Sequence, residues 1–186
     1  MGAVHRPVRH HDFDAYLALR AYSNVRLEYW GGEIYAMAGG SAEHSRLSAA
    51  MTAMLYLRRR AGCTALESNV SIRPLASERA TYADAVLVCG PYEFHPGDRN
   101  RETITNPSVV VEVLSDSTAE DDLTTKFDHY QLAPSLTDYV LVWQDQQRVE
   151  VRSRRDDGWL VRTLGPGDTV QLQAGVVFTV DELYAT

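Results

Sequence analysis

The chain lacks the marks of several protein classes. No apolar run approaches the roughly 20 residues that a membrane-spanning helix needs, so a membrane protein of that kind is not expected. Met1 to His11 is polar and basic with no apolar segment behind it, which is neither a signal peptide nor a clear transit peptide. Cysteine is scarce. Cys63 and Cys89 have neither metal-site nor redox spacing and are expected to be free thiols in a reducing cytoplasm. There is no Gly-x-Ser-x-Gly elbow. Ser115 and Ser117 have no histidine at a suggestive spacing, which disfavours a serine nucleophile. Basic residues do not dominate either. Lys and Arg number 18 against 25 Asp and Glu, for a net charge of -7. That excludes a bulk nucleic-acid coat, which would be basic. A nuclease stays open, because a metal-dependent site is itself acidic and its phosphate surface need only be locally positive. Arg58-Arg59-Arg60, Arg99/Arg101 and Arg152/Arg154/Arg155 are the candidate patches, each of which reads first as a solvated face.

What is present fits one α/β domain spanning residues 1–186, with no repeat, linker or low-complexity tract. Phe13, Tyr16, Leu17 and Leu19 give the 12–20 segment an amphipathic helical pattern. Gly31-Gly32 between two alternating aromatic runs, 26–30 and 33–37, signals a hairpin. Ser41 is placed to cap a helix to about Ala61, with Leu47, Met51, Met54 and Leu55 on its buried stripe. The 64–73 segment reads as one strand or a bent pair, and 81–89 as one strong strand. The polar segment 90–106 is a loop of uncommon length. Ser117-Thr118-Ala119-Glu120 has the form of a capping box opening a helix to about Leu132. Apolar or alternating strands follow at 139–143, 148–154 and 159–164, with a short strand after Gly165-Pro-Gly-Asp168.

One residue stands out. Val109-Val110-Val111-Glu112-Val113-Leu114 reads as a strand buried on both faces, and Glu112 interrupts it. Burying even a polar group without a partner costs on the order of 2–7 kcal/mol, so a cation is expected opposite. Asp84, in Thr81-Tyr-Ala-Asp-Ala-Val-Leu-Val88, is a second lone acid in an apolar strand. On a period of two it shares a face with Tyr82 and Val86, as Glu112 does with Val110 and Leu114. If the two strands are neighbours, both carboxylates can reach one hard cation, and oxygen ligands suit Mg²⁺ or Mn²⁺ rather than zinc. Lys126 lies beside Leu123, Phe127 and Tyr130 on the following helix. A lysine on the flank of a buried stripe either snorkels to solvent or meets an anion.

These residues resemble the Uma2 family of restriction-type endonucleases, within the PD-(D/E)xK nuclease superfamily. The resemblance runs through Glu28-Tyr-Trp-Gly-Gly-Glu33-Ile, His44, Tyr82-Ala-Asp84, Asn106-Pro107, Val111-Glu112-Val-Leu-Ser115, Lys126-Phe-Asp-His-Tyr130 and Tyr139-Val-Leu-Val. Two positions depart from the pattern. Ala83 stands where the family has proline before the aspartate, and Leu114 stands where the superfamily lysine would follow the acid by two residues. Lys126 on the next helix fits a migrated lysine. The resemblance implies a restriction-endonuclease-like central mixed β-sheet flanked by helices, with additional β-hairpins. It implies Asp84, Glu112 and the Val113 carbonyl as metal ligands, Lys126 as the group that orients water, and His44 as a further catalytic candidate. A buried, satisfied histidine is the competing reading for His44. Glu33 could reach the site, although an exposed hairpin acid is the plainer reading for it. The function so implied is a Mg²⁺- or Mn²⁺-dependent endonuclease acting on DNA as a cytoplasmic homodimer, with no membrane association. Two rivals remain: a catalytically silent nuclease fold kept for binding or assembly, and a hydrolase of small phosphoesters with a closed pocket.

Overall fold

The computed structural model describes residues 10–37, 39–115 and 119–185. Asp12 accepts the Ala15 N–H at 2.7 Å and opens helix α1 (Phe13–Tyr22). Strands β1 (Leu27–Trp30) and β2 (Glu33–Ala36) close around Gly31 and Gly32, whose φ angles of 55° and 94° are those a two-residue hairpin turn requires. Ser41 caps helix α2 (Ala42–Arg58) and accepts the His44 N–H.

The segment expected as one strand over 81–89 is two strands. β5 (Arg79–Tyr82) and β6 (Ala85–Cys89) belong to different sheets, and the chain passes between them at Ala83-Asp84. The shared face expected for Tyr82, Asp84 and Val86 therefore does not exist. An apolar run carries no mark of a change of sheet, since either strand alone accounts for its burial. The bent-pair alternative over 64–73 holds, with β3 (Cys63–Glu67) and β4 (Ser71–Ile72). Strands β7 (Thr103–Ile104), β8 (Val109–Leu114), β9 (Asp138–Trp143), β10 (Val149–Arg155), β11 (Gly158–Leu164), β12 (Thr169–Gln171) and β13 (Val177–Thr179) follow. The helix expected up to Leu132 is two short pieces, α3 (Ala119–Leu123) and α4 (Thr125–Tyr130). They part at Thr124, whose φ and ψ of -125° and -84° are not helical. The capping box expected from Ser117 begins outside the described residues. A final helix, α5 (Val180–Tyr184), has a capping box of its own from Thr179 and Glu182.

A mixed six-stranded sheet, in the order β11-β10-β9-β8-β6-β3, forms the centre. Its β8–β9 pair is parallel, and α3 and α4 make the crossover between these two strands. On one face α2, α5 and the β12–β13 hairpin cover Val109, Val111, Val113, Leu87 and Val140. On the other, Tyr130, Ala133 and Leu136 cover Val86, Val110, Leu114 and Leu141. A five-stranded sheet, β2-β1-β5-β4-β7, packs Tyr29, Leu27 and Ala80 under Tyr16 of α1. This is the central mixed sheet with flanking helices that the sequence led us to expect.

The expectation of free thiols is overturned. Cys63 and Cys89 face each other across β3 and β6 and form a disulfide. The Gly90 N–H bonds the Gly62 carbonyl, so the cysteines occupy a non-hydrogen-bonded pair, where opposed side chains come closest. Sequence spacing hid this, because 26 residues separate two positions that the sheet makes neighbours. The inference of a reducing compartment loses that support. Among the described residues no helix is long and apolar enough to cross a membrane.

Candidate active site

Glu112 lies on the β8 face that carries Val110 and Leu114, and is 3 % exposed. Its Oε1 accepts hydrogen bonds from Lys126 Nζ at 3.2 Å and Tyr130 Oη at 3.0 Å. Both of its side-chain hydrogen bonds among the described residues fall on that oxygen, and the residue lines the cleft. Burial pushes the Glu112 carboxyl well above its ordinary range; Lys126 opposes this, while the charges of Asp122 and Asp84 add to it.

Lys126 neither snorkels nor serves one partner. It is 8 % exposed, and its ammonium also lies 2.7 Å from Asp122 Oδ1, four residues earlier across the break at Thr124. Burial alone would favour the neutral amine, but Glu112 and Asp122, with Glu28 behind them, outweigh it and hold the lysine charged. It is the single lysine of the chain, every other basic side chain apart from histidine being arginine. A chain so biased toward arginine has kept one lysine, and that lysine is buried between two carboxylates.

Asp84 sits where β6 begins. Extending the β6–β8 register by one residue beyond Ala85↔Val111 brings it opposite Glu112. Its N–H bonds the Val111 carbonyl, and its Oδ2 accepts the Val113 N–H at 2.7 Å. The Val113 N–H thus points toward β6, and its carbonyl points the same way. Because β6 starts only at Ala85, that carbonyl has no ladder partner among the described residues. From the other side of the sheet, His44 in the first turn of α2 brings Nε2 to 3.2 Å from the same Asp84 Oδ2. The bond to Asp84 raises the imidazole above its ordinary value despite burial. His44 is therefore neither a core histidine nor distant from the acids.

Asp84, Glu112, Val113, Lys126 and His44 line one cleft of about 840 Å³. Five further acids line it as well, Glu28, Glu43, Asp121, Asp122 and Asp145, and two of them bear on the site. Asp122 was legible as the i,i+4 partner of Lys126. Glu28 was given no role from sequence, where only Glu33 was weighed, yet Glu28 faces the cleft and accepts from the Thr81 hydroxyl and Tyr82 N–H. Glu33 is exposed, outside the cleft, and accepts from Tyr35. Strand pairing separates the two: alternation puts both on one hairpin face, but β1 is the strand that also pairs with β5.

The donor set is hard oxygen throughout. Among the described residues no three His, Cys, Asp or Glu side chains form a ready cage. Two carboxylates and a backbone carbonyl nonetheless suit an ion that keeps much of its water, as Mg²⁺ does. Burial is the main cause of the raised Glu112 carboxyl, with the nearby charges of Asp122 and Asp84 adding to it. The residues fit such an ion.

Known proteins are similar to the chain over most of its length. Residues 13–181 match the Uma2 family, described as "Putative restriction endonuclease". Two proteins of Synechocystis sp. are similar along most of their length. "Uncharacterized protein slr1290" is 32 % identical over 174 residues, 92 % of this chain and 90 % of that protein. "Uncharacterized protein sll1609" is 34 % identical over 153 residues, covering 80 % and 84 %. Among solved structures, a nuclease of Anabaena variabilis, described as putative and assigned to DUF820, superposes with a TM-score of 0.69 at 15 % identity, covering 88 % of this chain and 92 % of that one. That likeness extends to the fold, which is nuclease-like. The chain belongs to the Uma2 family.

Proposed function

We propose that the chain is a metal-dependent endonuclease that hydrolyses DNA phosphodiester bonds. The observation that carries this reading is the burial of the chain's one lysine between Glu112 and Asp122, in the cleft that Asp84 enters from the adjoining strand. Asp84, Glu112 and the Val113 carbonyl would hold Mg²⁺ or Mn²⁺. When bound, the ion would polarise the phosphate and acidify a coordinated water. Lys126 would orient the attacking water and offset the charge that develops on the phosphate, the role of a preorganised electrostatic group. Tyr130 fixes the Glu112 carboxylate, and His44 together with the Val113 N–H fixes that of Asp84. A two-fold homodimer would present two such sites to two strands, and light scattering checks it.

A silent binding or assembly module is the second reading, and the state of the arginines favours it. Arg152 and Arg154 donate to main-chain carbonyls at the ends of helical turns, Arg58 pairs with Glu182, and Arg101 lies over Phe94. The candidate basic patches are largely occupied within the fold. Nicking of supercoiled plasmid separates the readings. The wild type should nick with Mg²⁺ or Mn²⁺ and not with EDTA, and Asp84→Ala should be inactive. Equal nicking by both proteins would refute the site. Hydrolysis of a small phosphodiester without any nicking of plasmid would instead support a small-ester hydrolase.

A further inference from the structure

The β1–β2 hairpin presents aromatic surface that no core uses. Alternation turns Leu27, Tyr29 and Ile34 toward α1, and puts Glu28, Trp30, Glu33 and Tyr35 on the opposite face. Glu28 lies directly across from Tyr35, and Trp30 directly across from Glu33. Of these four, Glu28 lines the cleft. Trp30 is 42 % exposed and Tyr35 is 44 % exposed.

Both rings are held in place. The Arg79 guanidinium lies 5.2 Å from the Trp30 ring centroid, and His129 makes a T-shaped contact with the same ring, centroids 6.2 Å apart. The Tyr35 hydroxyl donates to Glu33. Arg79 also grips Asp121 of the cleft wall through both carboxylate oxygens. The aromatic face is thereby continuous with the cleft rim. Trp30 and Tyr35 are diagonal neighbours on one face of an antiparallel pair, where side chains stand roughly 7–8 Å apart. That exceeds the ~3.4 Å step between stacked bases along one strand of a duplex and suits two bases that have been splayed apart.

Resting on the nuclease reading, we propose that Trp30 and Tyr35 form a stacking platform for unpaired bases, and that the strand fed to the Asp84–Glu112 cleft is single-stranded DNA. Charge points the same way. The rim is acidic and Arg79 is committed to Asp121, so tracking the phosphates of a duplex has little to draw on. Stacking on π faces tolerates any base, because every base has a π face.

Fluorescence anisotropy in EDTA with a labelled oligothymidylate and a matching duplex tests this. The wild type should prefer the single strand. Trp30→Ala and Tyr35→Ala should each weaken single-strand binding by roughly ten- to a hundredfold, with duplex binding and melting temperature unchanged. Trp30→Phe, which keeps a π face, should retain most of the affinity. Unchanged single-strand affinity in both alanine variants would overturn the platform, as would an equal loss on both forms of DNA. If those results came with metal-dependent nicking by the wild type, the platform alone would fall. If the wild type bound neither DNA and nicked nothing, the nuclease reading would fall and the platform with it.

Discussion

Two acids are buried on the adjoining parallel strands β8 and β9, and their surroundings treat them in opposite ways. Asp138, at the start of β9, is fully buried and accepts from Ser153 Oγ at 2.7 Å, Thr137 Oγ1 at 3.0 Å and the Gln173 N–H at 2.9 Å. Every donor is neutral and fixed, and both carboxylate oxygens are engaged. Glu112, toward the end of β8, has both of its side-chain hydrogen bonds among the described residues on one oxygen and shares its cation with Asp122. Burial of an acid therefore does not mark a site. The mark is a carboxylate left short of donors at the wall of a cleft. The fold places the two accordingly. Ligands of open α/β sheets gather at the carboxyl ends of parallel strands, where Glu112 lies, while Asp138 stands at the amino end.

The contrast can be broken or sharpened by substitution. The largest expected effect is on catalysis. Lys126→Met keeps most of the aliphatic stem beside Leu123 and Phe127 and removes only the charge. Plasmid nicking should fall roughly 10²- to 10³-fold, while calorimetry still shows Mn²⁺ binding. Equal nicking by the two proteins would reduce Lys126 to a structural cation. Next comes stability. Asp138→Ala strands buried donors and should cost about 3 kcal/mol or more in urea melts, with the response to Mn²⁺ intact. Glu112→Gln should do the reverse. Lys126 keeps Asp122 as a partner, so the metal-free melting temperature should move little. The stabilisation by Mn²⁺, about 2.7 kcal/mol at a hundred times its dissociation constant, should vanish. If Asp138→Ala erased the Mn²⁺ response, or Glu112→Gln kept it, the division between the two acids would be mistaken.

The smallest effect concerns an acid that resembles Asp138 in being paired away from the cleft. Burial alone would raise the Asp98 carboxyl, but the Thr103 hydroxyl and the Arg20 guanidinium, 2.8 Å away, outweigh it and hold it below its ordinary value of 3.8. A carboxyl lowered by folding contributes stability above its unfolded value, and the contribution is lost as pH falls through the folded one. Asp98→Asn should therefore melt lower than the wild type at pH 7, and the gap should close below pH 3.8. A gap that persists unchanged at pH 2 would mean that the pair contributes through packing and not through charge.

The sequence carried the elements well and their junctions poorly. Periodicity located α1, the Gly31-Gly32 hairpin, α2, β8 and β9 within a few residues. It could not show that the 81–89 segment changes sheet at Asp84, because apolar residues on either side of a break look alike. That break is what brings Asp84 to a strand start, with its side chain free to meet both Val113 and His44. Glu112 and Lys126 were legible because each violates its surroundings, a charge among apolar neighbours. Asp122 could be picked out only by its i,i+4 spacing from Lys126, and Glu28 was harder to see. It lies on a polar hairpin face, where one more carboxylate is unremarked until the chain folds. The disulfide shows the same limit, since pairing across strands leaves no local signature.

A chain with one internal amine also reports on itself. An endoprotease that cuts only after lysine has a single internal bond to attack, and that bond lies in α4 beneath the ion pairs of Glu112 and Asp122. The bond is cut only when α4 lifts from the sheet. Amine-directed acylation likewise has one interior target. The rate at which a full-length band becomes two fragments is thus a direct measure of how often this wall of the cleft opens, read on a gel without label or engineered probe.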